Sequence, residues 1–201
     1  MYEYTDKAIE KINLTIQHEF AALRRTVLAF DEIFILQDAV NACYGAIYRE
    51  VKNLYLDVAN HAYFACTGRE DAFTYFWVEQ FLLGYDPVTR YVFTHEFDRK
   101  RARTFEAVVS TKKKGDISKE LKQAMYNLSV QTKQYADEIT DTATLQGYKD
   151  SGIERVRWIT EQDGRVCLDC RKRHNKTYPI DSVPDKPHIR CRCWLIPADK
   201  E

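Results

Sequence analysis

Four of the six cysteines fall in one window near the C-terminal end, RVCLDCRKRHNKTYPIDSVPDKPHIRCRCWLIP, residues 165–197. Cys167 and Cys170 form a CxxC pair, and His188, Cys191 and Cys193 follow after 17 intervening residues. Thiolate sulfur and imidazole nitrogen are the donors of a tetrahedral zinc site, and a CxxC turn supplies two of them from one knuckle. A second knuckle from a separate segment completes such a site. Five residues compete for four places here. Cys167, Cys170, His188 and Cys191 are the favoured set, with Cys193 as the alternative fourth ligand. Cys191 and Cys193 lie two apart, so an extended strand puts both on one face and spacing leaves the choice open. His174 is a weaker candidate. Four protein ligands leave no open position for water or substrate, so the expected cofactor is a structural zinc. Disulfides and a redox CxxC are the lesser readings, since no βαβ pattern surrounds the pair and clustered cysteines in a reducing compartment more often hold metal.

The segment that must position these ligands differs in texture from the rest. Pro87 is the only proline before residue 150, whereas Pro179, Pro184, Pro187 and Pro197 crowd the last quarter. ERVRWIT, TYPI and RCRCWLIP read as short extended runs between turn-formers. A module of about 50 residues has little core of its own, and a metal staple is the usual remedy. Trp158 and Trp194 stand on two of the extended runs and are expected to pack together beneath the knuckles.

Upstream, the pattern is helical. Ile9, Ile12, Ile16, Phe20, Leu23, Val27 and Phe30 recur at spacings of three and four, one face of a first helix. Val40, Tyr44, Ile47, Val51, Leu54 and Val58 do the same in a second, with Gly68 as its C-cap. A shorter apolar helix ends at Gly84. Asp86-Pro87 reads as an N-cap followed by proline at the first helical position, opening a fourth helix through VTRYVFTHEFDRKRARTFEAVVS. Asp116 caps one or two further helices that stop at Gly152. Cys43 and Cys66 sit on apolar helical faces as core residues. The fold class expected is mainly α: a long-helix bundle over 1–150 and a small β-rich, zinc-stapled module over 151–201.

Composition bounds the function. Lysine plus arginine and aspartate plus glutamate number 30 each, so the formal net charge is zero and nothing global calls for a polyanion partner. No stretch approaches the ~18 consecutive apolar residues of a membrane span, and the N-terminus lacks an apolar run of signal-peptide type. The expectation is a soluble chain made in a reducing cytoplasm, with no membrane partner. No Gly-rich phosphate loop, HExxH or G-x-S-x-G occurs, so no residue nominates itself as catalytic and the chain reads as a non-enzyme. The last 51 residues carry 11 basic against 8 acidic side chains, a surplus of three. Arg171, Lys172, Arg173, Arg190 and Arg192 are the candidates for contact with DNA phosphates. Further basic runs lie at 99–103 and 112–114. Thirteen tyrosines, ten phenylalanines and three tryptophans exceed what a bundle core needs, and aromatic side chains favour interfaces.

Residues 147–197 resemble the C-terminal domain of the Mu F-like phage head morphogenesis family, the minor head proteins of tailed phages. The matching positions are Gly152, Val156, Trp158, Thr160, Asp163, Cys167, Cys170, Lys176, Tyr178, Pro187, His188, Cys191, Arg192, Cys193 and Pro197. Asn175 stands where that family usually has glycine, and asparagine tolerates a left-handed turn nearly as well. Before residue 135 the likeness is only to the family's habit of a helical N-terminal part. The resemblance implies a minor structural protein of a virion, made in the host cytoplasm and associated with the portal vertex or the inside of the capsid. Its partners would be the portal protein, the major capsid protein, or both. It also implies a role in head morphogenesis and, as in some members, in DNA packaging or ejection.

Overall fold

The structure, a computed structural model, describes residues 2–86, 91–111, 114–161, 163–188 and 191–198. Five helices precede the cysteine-bearing segment: α1 (Tyr2–Ala29), α2 (Ile33–Thr67), α3 (Tyr75–Leu83), α4 (Phe93–Ser110) and α5 (Lys114–Asp150). Then come β1 (Arg155–Thr160), a six-residue helix α6 (Leu168–Arg173), β2 (Thr177–Pro179) and β3 (Cys193–Pro197). The protein is mainly α with a small three-stranded antiparallel sheet, as the periodicity and the extended runs predict.

The bundle forms because three long helices each present an apolar stripe. Ile9, Ile12, Ile16, Phe20, Leu23 and Val27 of α1 are buried, as are the six predicted positions of α2. From α5, Ile117, Leu121, Leu128, Tyr135, Ile139 and Ala143 complete the same core. Aromatic rings fill its middle. Phe93 meets Tyr135 edge-on with centroids 4.7 Å apart, and Tyr44 meets Phe97 at 5.4 Å. Each buried phenol keeps a partner, without which burial of its hydroxyl would be costly. Tyr44 pairs with Thr104 at 2.7 Å, and Tyr55 donates to the Thr132 carbonyl at 3.1 Å. Their burial pushes both hydroxyl pKa values up. α2 and α5 approach closely at Gly147, where a Cβ would lie 2.7 Å from the Cβ of Cys66. Cys43 is buried in the core, and Cys66 is half-buried at this crossing.

Three local expectations need correction. Phe30 continues the α1 spacing but is 44 % exposed, because the helix has ended at Ala29 and the chain turns towards α2. The fourth helix begins at Phe93 rather than at residue 87. Tyr85 and Val92 form an isolated antiparallel bridge, the Asp86 N–H bonds the Tyr91 carbonyl, and Val92 is extended. Pro87 itself lies outside the described residues. Asp116 is not a cap but stands in the first turn of α5, where its charge still suits the helix dipole. By contrast, Gly68 ends α2 at φ 68, and Gly152 follows α5 at φ 74, both left-handed as those roles require.

The sheet has the order β2-β1-β3 with both pairs antiparallel. Its register sets Trp158 opposite Leu195 and Ile159 opposite Trp194. Successive residues of a strand face opposite sides. Trp158 and Trp194 therefore lie on opposite faces of the sheet, which corrects the expected pairing of the two indoles. Trp158 is buried in a small cluster with Cys170, Cys191 and Cys193, while Trp194 is half-buried outside it. Three contacts tie this segment to α5. The Tyr148 hydroxyl donates to the Leu195 carbonyl, Lys149 pairs with Asp181, and Lys186 pairs with Asp141.

Candidate metal centre

Cys167 is the N-cap of α6, with extended backbone (φ −68°, ψ 161°), and its sulfur accepts the Cys170 N–H at 3.3 Å. One helical turn thus sets two sulfurs side by side, and the N–H donor favours the thiolate form of Cys167. Its pKa is lowered, first by that N–H and further by His188. Sequence spacing anticipated the knuckle but not the helix, because six residues are too few for a periodic signal. The second pair, Cys191 and Cys193, enters from the start of β3, and both side chains are buried.

The two segments converge. His188 Nε2 lies 3.1 Å from Cys167 Sγ and 3.7 Å from Cys170 Sγ. Cys170 Sγ lies 3.4 Å from Cys191 Sγ. Cys170 belongs to two groups whose donor atoms all fall within 4.8 Å, one with Cys167 and His188, the other with Cys191 and Cys193. A tetrahedral ion with bonds of about 2.3 Å to sulfur and about 2.0 Å to nitrogen sets donor–donor edges near ~3.5–3.8 Å. The measured separations are close to that, so these residues fit a metal ion. All five candidates from the spacing come together.

Burial opposes charge on these sulfurs. The Cys170 thiol is pushed up to about 12, mainly by desolvation. The neighbouring Cys191 and Cys193 shift in opposite directions: Cys191 is raised, first by Cys193 and then by burial, and Cys193 is lowered to about 5, first by Cys191. The Thr160 hydroxyl and the Trp158 indole also favour the Cys193 anion. Trp158 Nε1 is a buried donor with no hydrogen-bond partner among the described residues. A divalent cation would offset the cost of holding several thiolates together.

His174 is not part of the cluster. Its Nδ1 accepts the Thr160 backbone N–H at 3.2 Å, which ties the end of α6 to β1. Asn175, next in the chain, takes φ 61, the left-handed turn that its residue type allows. The basic candidates divide. Arg171 and Lys172 are exposed on α6. Arg173 lies over the Trp158 ring at 5.1 Å and donates to the Asp185 carbonyl. Arg192 makes two hydrogen bonds to Asp163, at 2.8 and 2.6 Å, and holds that carboxyl down at about 2. Arg190 lies outside the described residues. Two of the five DNA-contact candidates thus have structural partners inside the module. The sequence could not reveal this, because Asp163 and Arg192 are distant in the chain.

No helix among the described residues is long and apolar enough to cross a membrane. Comparison with family models, with curated proteins and with solved structures finds no match for this chain.

Proposed function

We propose that this chain is a minor structural protein of a phage head, whose C-terminal module is closed by a structural zinc ion. The observation that carries the zinc reading is that Cys170 joins two groups of mutually close donors, one with Cys167 and His188 and the other with Cys191 and Cys193. Three thiolates and one imidazole suit zinc better than magnesium or calcium, which prefer oxygen. Cys193 is the alternative fourth ligand. In the favoured set its thiol is left to the neighbouring Thr160 and Cys191 side chains. Four protein ligands leave no position for a substrate, which speaks for a structural rather than a catalytic role.

The head-associated role rests on the resemblance of residues 147–197 to the Mu F-like family. Exposed aromatics on the helical body agree with a docking role. Phe34 and Phe76 are each nearly 70 % exposed, and Tyr75, Tyr85 and Tyr91 are also on the surface. Such a body would engage the portal or the inner shell by apolar burial, which salt does not screen. DNA contact through Arg171 and Lys172 would fade steeply as salt rises. The decisive measurement is co-sedimentation of the protein with empty, DNA-free heads at two salt concentrations. Retention at both supports the head reading, whereas binding only to DNA-filled heads, or only at low salt, makes this a nucleic-acid-binding module.

A further inference from the structure

β3 is an edge strand. Among the described residues it pairs only with β1, leaving its other side without a partner strand. The Ala198 N–H bonds the Arg155 carbonyl, which fixes the phase of the ladder. Alternate residues of β3 therefore turn their backbone groups outward, and these are Cys193, Leu195 and Pro197. Along that side runs a groove of about 1130 Å³, walled by β3 and by α5 and α1. This is larger than the roughly 300–1,000 Å³ of typical small-molecule sites, and a strand edge lines its length.

The edge is short of donors. Pro197 has no N–H. The Cys193 and Leu195 N–H groups are the outward donors, against three outward carbonyls, one of which accepts from Tyr148 at 3.4 Å. The groove is acidic as well. Asp6, Asp137, Asp141 and Glu161 line it, against Lys133 and Arg192. Lys133 is held between Asp6 and Asp137, Lys186 pairs with Asp141, and Arg192 is bound to Asp163, so the surplus negative charge comes from the two carboxylates that share Lys133 and from Glu161. An occupant that brings donors and positive charge fits both features, and the apolar side chains of Trp194 and Ile196 on the same wall can receive its uncharged positions.

From this edge we infer that the groove binds an extended, basic segment of a partner protein, which adds to β3 as a fourth strand. Strand addition draws affinity from main-chain hydrogen bonds and selectivity from alternate side chains. Five residues of β3 match a segment of about five or six residues. Pro197 and the Tyr148 hydroxyl blunt the edge against indiscriminate pairing.

The test uses the full chain, isotopically labelled, and three capped octapeptides: alternating lysine–valine, alternating glutamate–valine, and the lysine–valine peptide with its amides N-methylated. The expected result is that only the first shifts the Leu195 amide resonance and slows its hydrogen exchange. The exposed substitution Glu161→Lys should weaken that binding about tenfold while leaving the spectrum of the free protein otherwise unchanged. Equal binding of the glutamate peptide, or of the methylated one, would overturn the inference. So would the absence of any shift at millimolar peptide. A dimer in which the Leu195 amide is already protected would also overturn it, by making a second copy of this chain the occupant.

Discussion

Lys186, two residues before His188 of the Cys/His cluster, reaches back to Asp141 in the last third of α5, and both side chains are largely buried. The pair fastens the loop that carries His188 to the longest helix of the bundle. Desolvation works against the charge on Lys186, and Asp141 more than restores it, so the ammonium pKa is raised overall. Removing one partner leaves the other charged and poorly solvated. Asp141→Ala should destabilise the protein by about 2–3 kcal/mol, below the ~3–5 of a fully buried pair because both groups keep some solvent. Urea denaturation of the single variant and of Asp141→Asn/Lys186→Met checks this. The double variant should recover much of the loss; if it is as unstable as the single, the cost lies elsewhere.

The zinc reading predicts about one zinc per chain in freshly reduced protein. Cys167→Ser and Cys170→Ser should abolish binding, while Cys193→Ser should retain it. Structural zinc supplies ~10–16 kcal/mol of apparent binding energy to folds of this size. Losing it should therefore unfold residues 151–201 and leave the helices of the bundle. Metal analysis with circular dichroism decides. Zinc-free protein with β1 and β3 still paired would rule out a stapling role, and loss of zinc in Cys193→Ser with retention in Cys191→Ser would exchange the two ligands.

Much of the fold was legible because it is periodic. The α1 and α2 stripes are sustained over several turns, and each predicted position from Ile9 to Val27 and from Val40 to Val58 is buried. The Cys/His cluster was legible because cysteine and histidine at knuckle spacing carry their chemistry in their identity. What escaped notice depends on partners remote in sequence. The start of α4 is set by the Tyr85–Val92 bridge, which overrides the local capping signal of Asp86-Pro87. The placement of Trp194 follows from register, and a register is a relation between two strands. The roles of Arg173 and Arg192 come from Trp158 and Asp163, so a local charge count read them as free.

The approach of α2 to α5 makes a prediction at Gly147. Alanine is ordinarily the better helix former, by about 1 kcal/mol. Here its Cβ would sit 2.7 Å from the Cβ of Cys66, and the Tyr63 carbonyl is 3.4 Å away. Gly147→Ala should therefore destabilise, by about 1–3 kcal/mol, through overpacking. Because the clash is with a Cβ, Cys66→Ala should not relieve it, whereas Cys66→Gly should. Thermal melts of the three variants distinguish a steric cause from a general helix effect.

Glu138 gives the protein a pH dependence whose sign can be worked out. Its carboxyl is pushed up to about 8, first by burial and then by the charge and hydrogen bond of Asp86. In the unfolded chain it titrates near ~4.3. Between those values the folded state holds a proton that the unfolded state has released. Stability must then fall as pH rises through this window, by up to ~1.4 kcal/mol per pH unit for a fully coupled group. Partial exposure of Glu138 reduces the slope. Asp137, raised to about 6 mainly by burial, adds to it in the lower part of the window. Glu138→Gln keeps a neutral hydrogen-bonding group beside Asp86 and removes the titration. Denaturant midpoints measured from pH 5 to pH 8 should decline in the parent protein and be much flatter in the variant. An unchanged decline in Glu138→Gln would show that other groups govern it, and a rise in the parent would mean that Glu138 is ionised in the folded protein throughout.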